Sequence, residues 1–220
     1  MIDFSSVKAI TIPEGNVSSI QIGGITVWSS VPDAPTVSVS AGDESYSYSV
    51  TLNSSNDPIK YRVREWAPDG TCVYNEAGDW TTSTTNVSSS LGLYSYTESV
   101  TIEAYSYRDS LVSDTVSDSA TPSRTPYIDT PTISLSDGGG GSVSCSISGT
   151  GTVHYSFSVY DDEGSYAGGN SGEGTDIYVN VYDYTDFVGS GSAYVYFEAY
   201  SEAYGLNSGL ASDSIHPSFA

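Results

Sequence analysis

The side chains best equipped for chemistry in this chain are few: His154, His216, Cys72 and Cys145. Neither histidine has a cysteine or a second histidine at metal-ligand spacing. His154 falls out of phase with Val153 and Tyr155, which places it on the outer surface of a strand. His216, in IHPS, reads as a loop residue. Carboxylates are plentiful. Asp161, Asp162 and Glu163 in YDDEG, then Asp176, Asp183 and Asp186, offer oxygen ligands for Ca²⁺. Their spacing fits no defined calcium loop, so they read as solvated loop acids. A glycosidase pair would need two carboxylates held across a cleft. DGGGGS, Asp137 to Ser142, is glycine-rich, but neither a helix nor a lysine follows, so it reads as a hairpin turn. The expectation is a chain that is not an enzyme, with no catalytic residues, no metal and no cofactor.

Composition narrows the partners. Of 220 residues, 27 are acidic and 6 basic, a net charge of −21. The last basic residue is Arg124, and twelve acids follow it without a lysine or arginine. Nucleic-acid binding needs cations that displace counterions, so it is not expected. Anionic membranes would repel the same surface, and no apolar run approaches the roughly 18 residues of a spanning helix. MIDFSSVKAI lacks the basic start and apolar stretch of a secretory signal. The expectation is synthesis in the cytosol, which leaves the sequons at Asn16, Asn53 and Asn86 without consequence.

Something must position these residues, and the chain describes it twice. VTIEAYSYRDSLVSDTVSDSATPS from Val100 matches VYFEAYSEAYGLNSGLASDSIHPS from Val195, an offset of 95. PTVSVS from Pro35 matches PTISLS from Pro131, and IKYRV from Ile59 matches VHYSF from Val153, at offsets of 96 and 94. Matches in order at a nearly constant offset mark two homologous modules. Module one is assigned to residues 31–124 and module two to 125–220. SSVPDAP and TPSRTPYIDTP read as semi-rigid linkers.

Within each module, apolar residues recur with period two, the mark of half-buried strands. In module two these are Val143, Cys145, Ile147; Val153, Tyr155, Phe157, Val159; and Val195, Phe197, Ala199. Module one repeats the phase with Tyr48, Val50, Leu52; Ile59, Tyr61, Val63; and Val100, Ile102, Ala104. About 95 residues of such strands fit an immunoglobulin-like sandwich. Cys145 takes the place of Val50 and reads as a small core hydrophobe. Cys72 has no counterpart and is expected in the core or at its rim. The two cysteines fall in different modules, so no disulfide is expected.

The 19 tyrosines suit half-exposed sheet faces. Tyr105, Tyr107, Tyr196 and Tyr200 fall on the polar side of their strands. Trp66 and Trp80 flank APDGTCVYNEAGD, which reads as an insertion peculiar to module one. These six form a candidate outward aromatic face, for protein or for sugar.

Residues 1–30 stand apart. ITIPEGNVSSIQIGGITVW is rich in strand-forming residues, with Ile10, Ile12, Val17, Ile20, Ile22, Ile25, Val27 and Trp28 as candidate anchoring side chains. An isolated hairpin is marginal in water. It is therefore expected to dock, on module one or on another protein.

Two resemblances bear on this. The order P-T-[VI]-S, an alternating strand, the apolar-x-Tyr strand, then EAYS and GLNS resembles the immunoglobulin-like modules at the C-termini of chitobiase and β-hexosaminidase-type proteins. Module one has RDSLVSDTVSDS where module two has the closing glycine turn, so its match is poorer. That likeness implies an accessory sandwich without chemistry. VKAITIPEGNVSSIQIGGITVW, ending in Trp before a proline-rich linker, resembles the N-termini of tailed-bacteriophage structural proteins. It implies a virion component, either a capsid decoration (head fibre) or a tail accessory. Such a component attaches to other virion proteins by its N-terminus, in multiple copies or as a homo-oligomer, and projects its modules outward. The alternative is a carbohydrate-binding module for host-surface or mucus glycans.

Overall fold

The structure, a computed structural model, describes residues 31–75, 80–185 and 193–219 in full, and 19–22 and 25–29 as backbone. In chain order β1 (Ser19–Ile22) and β2 (Ile25–Ser29) come first. They pair antiparallel, Ile20 opposite Trp28 and Ile22 opposite Ile25, and form a two-stranded sheet of their own.

Module one contains β3 (Thr36–Ala41), β4 (Ser45–Thr51), β5 (Ile59–Trp66), β6 (Cys72–Asn75), β7 (Thr81–Ser83), β8 (Val87–Gly92), β9 (Ser99–Arg108), β10 (Leu111–Val112) and β11 (Val116–Ala120). One sheet runs β3-β4-β8. The other runs β10-β9-β5-β6, with β7 also on β5 and β11 also on β9. Module two contains β12 (Thr132–Gly139), β13 (Ser142–Ser148), β14 (Thr152–Tyr160), β15 (Tyr166–Glu173) and β16 (Asp176–Asn180), then a 3-10 turn at Val181–Asp183. It closes with β17 (Tyr194–Ala203), β18 (Leu206–Asn207) and β19 (Ala211–Ile215). Its sheets are β12-β13-β16 and β15-β14-β17-β18, with β19 on β17. The same strand order occurs twice, and each module is an immunoglobulin-like β-sandwich.

The alternation read from the sequence sets which side chains meet between the sheets. Val50, Ile59, Val63, Val100, Ile102 and Ala104 fill module one; Val143, Cys145, Phe157, Val159, Val195 and Phe197 fill module two. Each valine, isoleucine or phenylalanine among them stabilises by about 1.5–3 kcal/mol when removed from water. Leu52, Tyr61 and Tyr155 keep the phase but pack at the margins, half-buried. The Asp118 carboxylate, on β11, accepts the Val39 amide of β3 at 2.9 Å and ties together the two edges where the sheets meet.

Turn chemistry follows residue type. Gly139, Gly140 and Gly141 carry φ of 74°, 59° and 78° between β12 and β13, so DGGGGS is the hairpin turn expected of it. Asp161 accepts the Glu163 and Ser165 amides at 3.0 and 2.8 Å, an Asx turn closing YDDEG. The APDGTCVYNEAGD stretch is no mere insertion. It holds β6, and β6 and β7 together edge the sheet where β15 does in module two. Sequence matching missed this because β15 is built on glycine: a Cβ on Gly169 would lie 2.2 Å from the Phe157 carbonyl oxygen.

Candidate binding surfaces

In module one, β5 and β9 place Arg62 opposite Glu103 and Lys60 opposite Tyr105. Arg62 donates to Glu103 at 2.5 Å, and Arg64 lies 3.7 Å from the same carboxylate. The Arg62 guanidinium also lies over Trp80, 4.4 Å from the ring centroid, and Trp80 meets Tyr105 edge-on at 4.8 Å. Arg64 lies 5.6 Å from the Trp66 centroid. Thus Trp66, Trp80 and Tyr105 share one face with two arginines, all half-buried. Tyr107 is half-buried on the same strand, its amide bonded to the Pro58 carbonyl.

In module two, β14 and β17 place Ser156 opposite Glu198 and His154 opposite Tyr200. Tyr200 is exposed and stacks on the His154 ring, with centroids 4.7 Å apart and planes 13° apart. The His154 nitrogens lie 3.7 Å from Glu173 and 3.3 Å from Glu202. Tyr196 donates its hydroxyl to Glu198 at 3.2 Å. An open groove of about 490 Å³ runs across this face between His154, Ser156, Ser171, Glu173, Glu198 and Tyr200. The six aromatics singled out from sequence therefore belong to two separate surfaces, four on module one and two on module two.

A third surface joins the modules, one not anticipated from the sequence. Tyr74, Tyr94, Tyr96 and Tyr204 form a run of ring contacts with centroids 6.2, 5.3 and 4.3 Å apart. Tyr204 belongs to module two and the others to module one. Burial, with the Tyr204 hydroxyl beside it, raises the Tyr96 phenol above its ordinary pKa. Gly205 follows Tyr204 with φ of 72°, and a Cβ there would come 3.2 Å from that of Asp69 in module one. The linker is fastened too. Arg124 donates to the Leu93 and Tyr94 carbonyls, the Tyr127 amide donates to Ser95 at 3.0 Å, and Ile128 is buried. Beneath lies Glu65, 1% exposed, accepting from the Thr97 hydroxyl at 2.6 Å and the Tyr94 amide at 3.4 Å. Burial raises the Glu65 carboxyl above the usual range, more than its hydrogen bonds and Arg124 lower it.

The remaining polar groups serve the fold. Asp57 is buried and takes two hydrogen bonds from Arg108, at 2.8 and 2.7 Å, and one from Asn53 at 2.9 Å. Burial alone would push the Asp57 carboxyl up; the bonds from Arg108 and Asn53 outweigh it and hold the pKa below the ordinary value. The Asn53 amide is consumed in this network. Cys145 is buried, and burial pushes its thiol up to about 11, with Asp213 and Asp176 adding to the effect. Cys72, expected in the core or at its rim, is exposed on β6, a short strand with few core-facing positions. His216 is an exposed loop residue whose Nδ1 lies 3.2 Å from the Ala193 carbonyl.

Among the described residues no group of three or more His, Cys, Asp or Glu could hold a metal ion, and no helix is long and apolar enough to cross a membrane. Ile10, Ile12, Val17 and Asp186 lie outside the described residues; Ile20, Ile22, Ile25, Val27 and Trp28 are placed as backbone in β1 and β2.

No protein-family model and no curated protein sequence matches the chain. Among solved structures it is similar to a two-domain fibronectin type III segment of chicken tenascin, at 18% identity, covering 84% of this chain and 99% of that one with a TM-score of 0.39. It is also similar to the chicken interferon gamma receptor alpha chain, at 15% identity, covering 86% and 100% with a TM-score of 0.34.

Proposed function

We propose that this chain is a structural component of a tailed-bacteriophage particle, a capsid decoration (head fibre) or a tail accessory. Residues 1–30 dock on other virion proteins and the two sandwiches project outward. The observation that carries this reading is the pairing of β1 with β2 in a two-stranded sheet of their own, which extends neither sandwich's sheets. A two-stranded sheet is marginal by itself in water, so a surface outside the sandwiches is its natural partner. The net charge of −21 suits display in multiple copies, because the projecting modules repel one another and stay soluble. On this reading the protein assembles in the host cytoplasm and is exposed on the finished particle. On this reading the modules carry no catalysis.

The test is a chain lacking residues 1–30, offered to particles that have none of it. Retention of the shortened chain on particles would sink the proposal; recovery in the unbound fraction supports it. Carbohydrate adhesion has less in its favour, since Trp80 has the Arg62 guanidinium over its ring.

A further inference from the structure

The two sandwiches solve the same outer face differently. Strand register equates Arg62 with Ser156, Glu103 with Glu198, and Tyr105 with Tyr200: Arg62 pairs Glu103 just as Ser156 pairs Glu198, and Lys60 pairs Tyr105 just as His154 pairs Tyr200. Tyr61 pairs Thr81, the residue after Trp80, and Tyr155 pairs Gly172, the residue after Ser171, so Ser171 stands where Trp80 does. Module one thus covers its face with Arg62 and Trp80. Module two keeps the carboxylate and the tyrosine but has serine at both covering positions, and the groove of about 490 Å³ is the space left.

We propose that this groove receives an arginine side chain from a partner protein, which takes the place that Arg62 occupies in module one. Glu198 would accept the guanidinium as Glu103 does, and Tyr200 would offer it an exposed aromatic ring. Charge favours that occupant. Glu173 and Glu198 line the groove, Glu202 lies 3.3 Å from His154 on its wall, His154 is the basic group facing them, and residues 125–220 contain no lysine or arginine to neutralise them from within. Glu198 is in no ion pair among the described residues. Guanidinium suits the site better than ammonium, because its planar fork matches a carboxylate and lies flat on a ring. The inference stands independently of how residues 1–30 attach.

The experiment is an NMR titration of the full chain with an acetylated, amidated Gly-Arg-Gly peptide, beside the same peptide with citrulline in place of arginine. The expected result is saturable shifts confined to β14, β15 and β17 at millimolar peptide. Affinity should fall about ten-fold with citrulline and about ten-fold with Glu198→Gln, the loss of one charge-assisted contact. Ser156→Arg, which supplies the guanidinium from within, should abolish binding without lowering the melting temperature of module two. Equal affinity for the citrulline peptide, unsaturated shifts spread over both modules, or undiminished binding by Ser156→Arg would each overturn the proposal. So would saturable binding of a neutral disaccharide where the arginine peptide gives none.

Discussion

Tyr204 stacks on Tyr96 across the module boundary, with centroids 4.3 Å apart and planes 24° apart, and it does so from a left-handed backbone with φ of 56°. A bulky residue rarely adopts that region, at roughly 1–2 kcal/mol. The equivalent residue of module one, Asp109, has φ of 52°, so the turn is inherited, and only module two uses it to present an aromatic ring. Together with Gly205 against Asp69, and with the linker held by Arg124 and Tyr127, the stack fastens module two to module one.

Tyr204→Gly keeps the backbone and removes the ring. It should leave both modules folded while broadening the distribution of their relative orientations. Small-angle scattering checks this: a larger maximum dimension and a poorer fit to any single conformation are expected. Tyr96→Ala should act in the same direction, with loss of roughly 0.5–1.5 kcal/mol of ring pairing.

Asp57 is 6% exposed and depends on Arg108. Arg108→Ala leaves a buried charge unpaired and should destabilise module one by about 3 kcal/mol. The native pair also carries a pH signature. The folded carboxyl lies below its model-compound value of 3.8, so its stabilisation is complete above that value and is lost as the pH falls through the lower folded pKa. Acid titration of Asp57→Asn should lack this loss.

Glu65 has the opposite sign. Its folded carboxyl lies above 4.5, so the folded state binds the proton more tightly and stability falls as the pH rises from 4.5 through the folded pKa. Glu65→Gln removes that slope. Its stability relative to the parent, measured by urea unfolding, should be more favourable at pH 7 than at pH 4; the reverse order would contradict the assignment.

The two thiols should differ in rate by orders of magnitude. Cys145 is buried with its thiol at about 11, and Cys72 is exposed. Under native conditions at pH 8, a thiol reagent should modify one cysteine quickly, and Cys72→Ser should remove that reaction. Cys145→Val, which installs the residue of the sister module, should cost under about 1.5 kcal/mol.

Much of the fold was legible because period-two alternation reports burial directly. Val143, Cys145 and Ile147 point inward, and Glu103 and Glu198 outward, as their phase requires. The repeat offsets also carried across, because β5 and β14, and β9 and β17, keep identical register. What resisted reading depends on pairs distant in sequence. Glu65 holds a core phase with a charged side chain, and its partners Tyr94 and Thr97 lie 29 and 32 residues on. The Tyr96–Tyr204 stack joins the ends of two modules whose homology says nothing about their docking. The groove of module two is defined by what Ser156 and Ser171 lack, and that shows only beside Arg62 and Trp80.

The attachment of residues 1–30 is the central claim, and one binding measurement addresses it. Particles free of this protein are mixed with the full chain and with a chain beginning at residue 31, then separated by sedimentation and quantified. Saturable co-sedimentation of the full chain, with the shortened chain left in the supernatant, is the predicted result. Equal co-sedimentation of both would contradict it and move the attachment onto the sandwiches.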